Sequence, residues 1–80
     1  MKRVPRGISG QELVKALSQL GYSVTRQVGS HIRLSTLENG EHHITIPNHN
    51  PIRIGTLSNI LNDIAIHFQF SKEEIIEKIF

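Results

Sequence analysis

Two short segments of this chain alternate strictly between apolar and polar residues. In residues 31–36, Ile32 and Leu34 alternate with His31, Arg33 and Ser35; in residues 42–46, Ile44 and Ile46 alternate with His43 and Thr45. A period of two describes a strand with one buried face and one solvated face. Between the segments, Glu38-Asn39-Gly40 is a turn signal. Parity then selects the register. A two-residue Asn39-Gly40 turn would set Leu34 against Thr45 and mix the faces. A three-residue loop Glu38-Asn39-Gly40, with Gly40 left-handed in a bulge, pairs Leu34 with Ile44, Ile32 with Ile46 and Arg33 with Thr45. It also brings His31 beside Pro47.

Residues 22–28 are β-prone and end at Gly29-Ser30, which makes them a third strand. A plain Gly29-Ser30 turn sets Arg26 opposite Arg33 and Gln27 opposite Ile32. Like charges directly opposite are unfavourable, so a bulge near Gly29 is expected to repair the faces.

The apolar face of such a meander needs a cover, and only helical periods flank it. Ser9 with Glu12 is a capping-box pattern, Leu13, Ala16, Leu17 and Leu20 follow at helical spacing, and Gly21 is a natural stop. This predicts a helix over about residues 10–20. Residues 47–53 read as a loop. A second helix starts at Gly55 or Thr56, with Leu57, Ile60, Leu61, Ile64 and Phe68 as its stripe. Ser71 with Glu74 caps a short last helix whose apolar edge is Ile75, Ile76, Ile79 and Phe80. The expectation is an α+β fold: helix, three-stranded antiparallel meander, helix, and a short C-terminal helix, with the helices on one sheet face and the other solvated.

Size and composition limit the chemistry. A chain of 80 residues reads as one domain over 1–80, with a single small core and no room for a deep enclosed pocket. It has no cysteine, which removes disulfides, a thiolate nucleophile and sulfur ligands for zinc. That fits a reducing cytoplasm. No apolar run is long enough to span a membrane. The net charge of +2 conceals an asymmetry: residues 1–53 hold seven Lys/Arg against three Asp/Glu, and residues 54–80 hold two against four. Four of the five histidines fall between residues 31 and 49.

The uncovered sheet face would carry His31, Arg33, Ser35, His43 and Thr45, with the Asn48-His49 loop beginning where that strand pair ends. An imidazole exchanges a proton near neutrality, so histidine is the best general base or acid in a chain without cysteine. Metal chemistry is not expected. His42 and His43 point to opposite faces of a strand, and no carboxylate pattern completes a site with His31, His43 and His49. Ser30 and His31 likewise face opposite sides and cannot form a nucleophile–base pair. Lys2, Arg3, Arg6, Arg26, Arg33 and Arg53 are candidate phosphate contacts. With Tyr22 the first aromatic and Phe68 the next, no stacking platform for single strands is visible.

At Gly29-Ser30-His31 the chain resembles the HicA family of toxins, small messenger-RNA endonucleases paired with HicB antitoxins. The resemblance is carried by Ser9-Gly10-Gln11-Glu12-Leu13, Leu20-Gly21-Tyr22, Arg26-Gln27-Val28-Gly29-Ser30-His31, Ile46-Pro47-Asn48-His49 and Gly55-Thr56-Leu57-Ser58-Asn59-Ile60-Leu61. It implies a fold similar to a double-stranded-RNA-binding domain and a metal-independent, cofactor-free endoribonuclease with His31 as the catalytic histidine. It also implies an acidic HicB-like partner covering His31. Gly29, Ser30, Arg26, Arg33, Lys2 and His49 are the expected RNA contacts. Asn48 departs from the family pattern, which usually has a basic residue there, and this points to weaker RNA affinity. Two other readings of the same features are a non-catalytic RNA-binding module and a protein-interaction domain that docks an acidic partner on the polar face.

Overall fold

The computed structural model describes residues 3–80. Helix α1 (Gly10–Leu17) continues into a 3₁₀ turn (Ser18–Leu20) and stops at Gly21, which is left-handed at φ 81°. Three strands follow, β1 (Ser23–Val28), β2 (His31–Thr36) and β3 (His42–Pro47), and then helices α2 (Ile54–Phe68) and α3 (Lys72–Ile79). The sheet is antiparallel in the order β1-β2-β3. This is the α+β order that the alternating and helical periods require.

Both capping boxes form. The Ser9 hydroxyl accepts the Glu12 amide at 3.1 Å while the Glu12 carboxylate accepts the Ser9 amide, and Ser71 with Glu74 does the same for α3. These contacts satisfy amides that have no partner inside the helix. Helix α2 starts differently from expectation, at Ile54, with Arg53 as its N-cap and no side-chain cap. Its entry is fixed instead by Ile52, which is buried and donates its amide to the Ile8 carbonyl at 2.8 Å.

The second hairpin has the register that parity selects: Ile32↔Ile46, Arg33↔Thr45, Leu34↔Ile44 and His31↔Pro47. Gly40 is left-handed at φ 96°, and Asn39 shares that region at φ 58°. The first hairpin corrects the expectation. Its turn is plain: Val28 pairs with His31, Gln27 with Ile32 and Arg26 with Arg33, and the bulge sits between Val24 and Arg26 rather than near Gly29. Gly29 at φ 57°, followed by Ser30 without a positive φ, is the arrangement of a type II′ turn, whose twist matches the strands. The two arginines therefore stay directly opposite each other.

One core joins the layers. Leu13 and Leu17 of α1, Leu57, Leu61 and Ile64 of α2, and Ile75, Ile76 and Ile79 of α3 close on Ile32, Leu34, Ile44 and Ile46. Each fully buried Leu or Ile contributes roughly 1.5–3 kcal/mol. Thr36, a polar side chain buried beside this core, donates to the Leu20 carbonyl at 2.9 Å and accepts the Glu38 amide at 3.1 Å.

Candidate functional site

The helices cover one face of the sheet and leave the other open. Along β2 the open face presents His31, Arg33 and Ser35, and across β3 it presents Pro47, Thr45 and His43. His31, Arg33, Thr45 and His43 are exposed and Ser35 is half-buried. Arg26 of β1 lies beside Arg33 on the same face, because directly paired residues point the same way. Among the described residues, neither guanidinium has a carboxylate within ion-pairing distance. Two unneutralised cations held side by side repel each other and attract an anion.

Three chain segments meet at the His31 end of this face. The Asn48 amide donates to the Ser30 carbonyl at 2.7 Å, tying the post-β3 loop to the β1–β2 turn. The Gly10 amide donates to the His49 carbonyl at 2.9 Å, and Gln11 Nε2 to Asn48 Oδ1 at 3.3 Å, tying the same loop to the start of α1. Gly10 makes this contact possible. A Cβ there would lie 2.6 Å from the Pro47 carbonyl oxygen and 2.8 Å from Asn48 Cα. Gly29, by contrast, has open space around it, so its role is the left-handed turn. Gly29, Ser30, His31 and the His49 loop are thus gathered at one end of the sheet, with Arg26 and Arg33 one step along it. Lys2 lies outside the described residues.

The five histidines divide by their partners. His42 sits on the helix-covered side of β3. Its Nδ1 pairs with the Tyr22 hydroxyl at 2.7 Å, its Nε2 lies 3.4 Å from the Asp63 carboxylate, and its ring stacks on His67 at 4.4 Å. His67 Nε2 pairs with the Glu38 carbonyl at 2.9 Å. Burial, then the Asp63 carboxylate, push the Tyr22 phenol well above its ordinary pKa. These rings brace the far end of the sheet against the end of α2. On the open face, His43 is held by Glu41 at 2.6 Å. Among the described residues, the side chains of His31 and His49 make no hydrogen bond, and no three His, Asp or Glu residues are grouped to hold a metal ion. No helix among those residues is long and apolar enough to cross a membrane.

Sequence reasoning missed Gly10, Gln11 and the fastening role of Asn48. Asn48 registered only as a departure from a basic residue, yet its amide and side chain join three segments. The one available signal was Gly10 itself: a glycine just inside a capped helix, where almost any other residue favours helix more.

The family model described as "HicA toxin of bacterial toxin-antitoxin" matches residues 10–66 of this chain. That span begins at the glycine that receives the Asn48 loop and contains the whole sheet and most of α2. No curated protein and no solved structure matches the chain.

Proposed function

The chain belongs to the HicA toxin family, and from that premise we propose that it is a messenger-RNA endonuclease in which His31 handles the proton. As a toxin of a toxin–antitoxin system it has an antitoxin as its partner. The observation that carries the enzymatic reading is the open sheet face: an exposed imidazole that makes no side-chain hydrogen bond among the described residues, beside a pair of arginines that meet no carboxylate among them. An RNA strand is a chain of phosphates, so it needs no enclosed pocket. It can lie across the face with a phosphate at Arg26 and Arg33 and the adjoining ribose at His31.

In the proposed step, His31 accepts the proton of a ribose 2′-hydroxyl. The 2′-oxygen forms a bond to the adjacent phosphorus while the bond from phosphorus to the 5′-oxygen breaks. Solvent protonates the departing 5′-oxygen. The products are a 2′,3′-cyclic phosphate and a free 5′-hydroxyl. Proton transfer by one positioned side chain accelerates such a step by ~10²–10⁴-fold. Arg26 and Arg33 offset the charge that develops on the phosphate. Ser30 and the backbone around Gly29, with His49 on the facing loop, border the reacting phosphate. Because the nucleophile is the 2′-hydroxyl, DNA is spared. The substrate places this chemistry in the cytoplasm.

The test compares His31→Ala with the wild-type chain on purified messenger RNA, with and without a chelator. The expected result is loss of cleavage in the variant at unchanged thermal stability, and chelator-resistant cleavage by the wild type. Wild-type cutting rates in His31→Ala would remove the histidine from the mechanism. RNA binding without product ends in either protein would leave a binding module of the same fold.

A further inference from the structure

Strand β1 projects beyond the helices. All six of its residues are exposed. Val24 pairs with the fully buried Leu34, on the side of the sheet that the helices cover, yet it is 47% exposed; Val28 is 58% exposed. The core therefore ends at β2, and β1 is solvated on both faces. It is also an edge strand. In a two-residue hairpin, the pair flanking the turn is hydrogen-bonded and the next pair is not. Val28 and His31 flank the turn and Gln27 pairs with Ile32, so the N–H and C=O of Gln27 point outward, away from β2. No backbone hydrogen bond from any other segment of the described chain reaches β1.

A free edge accepts one kind of ligand best: another extended backbone. RNA cannot supply that ladder. A second copy of this chain is a poor fit, because pairing β1 with β1 brings a second Arg26/Arg33 pair against the first. An added strand lies about 4.8 Å beyond β1, and its side chains on the open face stand next to Arg26. Charge complementarity requires a carboxylate there, and the exposed Val28 requires an apolar neighbour. The carboxylates of this sheet layer, Glu38 and Glu41, belong to the opposite hairpin and leave the Arg26 end uncompensated.

We infer that the antitoxin adds an extended, carboxylate-bearing strand to the outer edge of β1 and competes with RNA for Arg26 and Arg33. Two strand spacings, roughly 10 Å, separate such a strand from His31. Inhibition then acts by occupying the phosphate contacts and the approach to the face, and does not require the partner to touch the imidazole. The competition rests on the RNA-cleavage reading, while the strand addition stands without it.

The probe is the cognate antitoxin, bound to the full chain. Gln27→Pro deletes one outward N–H at a position where proline spares the β1–β2 ladder, and Gln27→Ala is its control. Gln27→Pro is expected to weaken antitoxin binding about tenfold, the scale of a lost ladder hydrogen bond or two. Gln27→Ala should change it less than about twofold on the same scale. In the wild-type complex, hydrogen exchange at the Gln27 amide should slow relative to the free chain. Equal binding by the two variants, or unchanged exchange along β1 in the complex, overturns the inference. So does a β1-paired dimer of the free chain. If Gln27→Pro melts before it can be assayed, exchange in the wild-type complex decides. Protection of β1 in a chain that cuts no RNA would keep the strand addition and remove the competition; cleavage without β1 protection would overturn the strand addition and leave the RNA-cleavage reading standing.

Discussion

Replacing Gly10 by alanine sets two physical effects against each other, and the structure determines the sign. Alanine favours the helix over glycine by up to about 1 kcal/mol, less in the first turn. A helix considered alone would therefore gain stability. In this fold, however, the new Cβ would lie 2.6 Å from the Pro47 carbonyl oxygen and 2.8 Å from Asn48 Cα, where ordinary contact begins at 3.4 Å. Both neighbours are backbone, so no side chain can rotate away, and the loop must retreat by about 0.8 Å. That retreat strains the Gly10–His49 bond of 2.9 Å and the Asn48–Ser30 bond of 2.7 Å. Forcing extra volume into a packed contact costs roughly 1–3 kcal/mol, which leaves a net loss of about 0.5–2 kcal/mol. For a domain of this size, each kcal/mol lowers Tm by about 4–8 °C. Gly10→Ala should therefore melt about 2–16 °C below wild type by circular dichroism. Assayed well below its Tm, it should also cut RNA about tenfold more slowly, because the loop bordering His31 has moved. A Tm equal to or above that of wild type would refute the reasoning, since helix propensity would then outweigh the close approach.

Arg26→Gln removes a like charge set directly opposite Arg33, so urea unfolding should show a gain of about 0.2–1 kcal/mol. The same variant should bind RNA more weakly, with a log–log salt slope shallower by about 0.7. Tyr22 holds its proton to higher pH in the folded chain than in the unfolded chain. Its contribution to stability is therefore complete below the ordinary tyrosine value of about 10 and is lost as pH rises above it. Urea unfolding at pH 9, 10 and 11 should show that decline, and Tyr22→Phe should flatten it. The backbone amide and then the hydroxyl of Ser71 hold the Glu74 carboxyl below its ordinary range, so that contribution is present above the unfolded carboxylate value and fades as pH falls through the folded one. Ser71→Ala should cost about 1 kcal/mol at neutral pH and weaken the acid limb of the unfolding profile.

How legible each part of this fold is in the sequence follows how strongly burial constrains it. Ile32, Leu34, Ile44 and Ile46 must all face the helices, and a slip of one residue would expose all four, so their alternation is enough to set the β2–β3 register. No such constraint acts on β1. Its residues are solvated on both faces, so alternation there carries no register information, and the repulsion between Arg26 and Arg33 is tolerated because both guanidinium groups reach solvent. For this reason the expected bulge near Gly29 is found at Thr25, where the threonine hydroxyl also donates to the Arg33 carbonyl at 3.3 Å. The start of α2 was similarly hidden. Thr56 has a capping side chain, but the tertiary anchor at Ile52 sets the entry two residues before it.

The histidines show why type and spacing alone could not rank the candidate site. In sequence, His31, His42, His43 and His49 share one dense stretch, and alternation separates only His42, on the covered side, from His31 and His43. Folding separates them by what each ring meets. His42 acquires Tyr22, Asp63 and the His67 ring, and its strand position turns it toward the helices. His43 faces the open side but is held by Glu41. His67, from the end of α2, is held by the Glu38 carbonyl. A ring engaged in this way must break an internal contact before it can serve a substrate. His31 carries no such cost among the described residues, and it sits where the turn, the Asn48 loop and the start of α1 are bonded into one unit. The carboxylates of the hairpins, Glu38 and Glu41, lie at the other end of the sheet from Arg26 and Arg33, with Glu41 already engaged by a histidine. The face is therefore basic at one end only, and that end is where the unengaged imidazole lies.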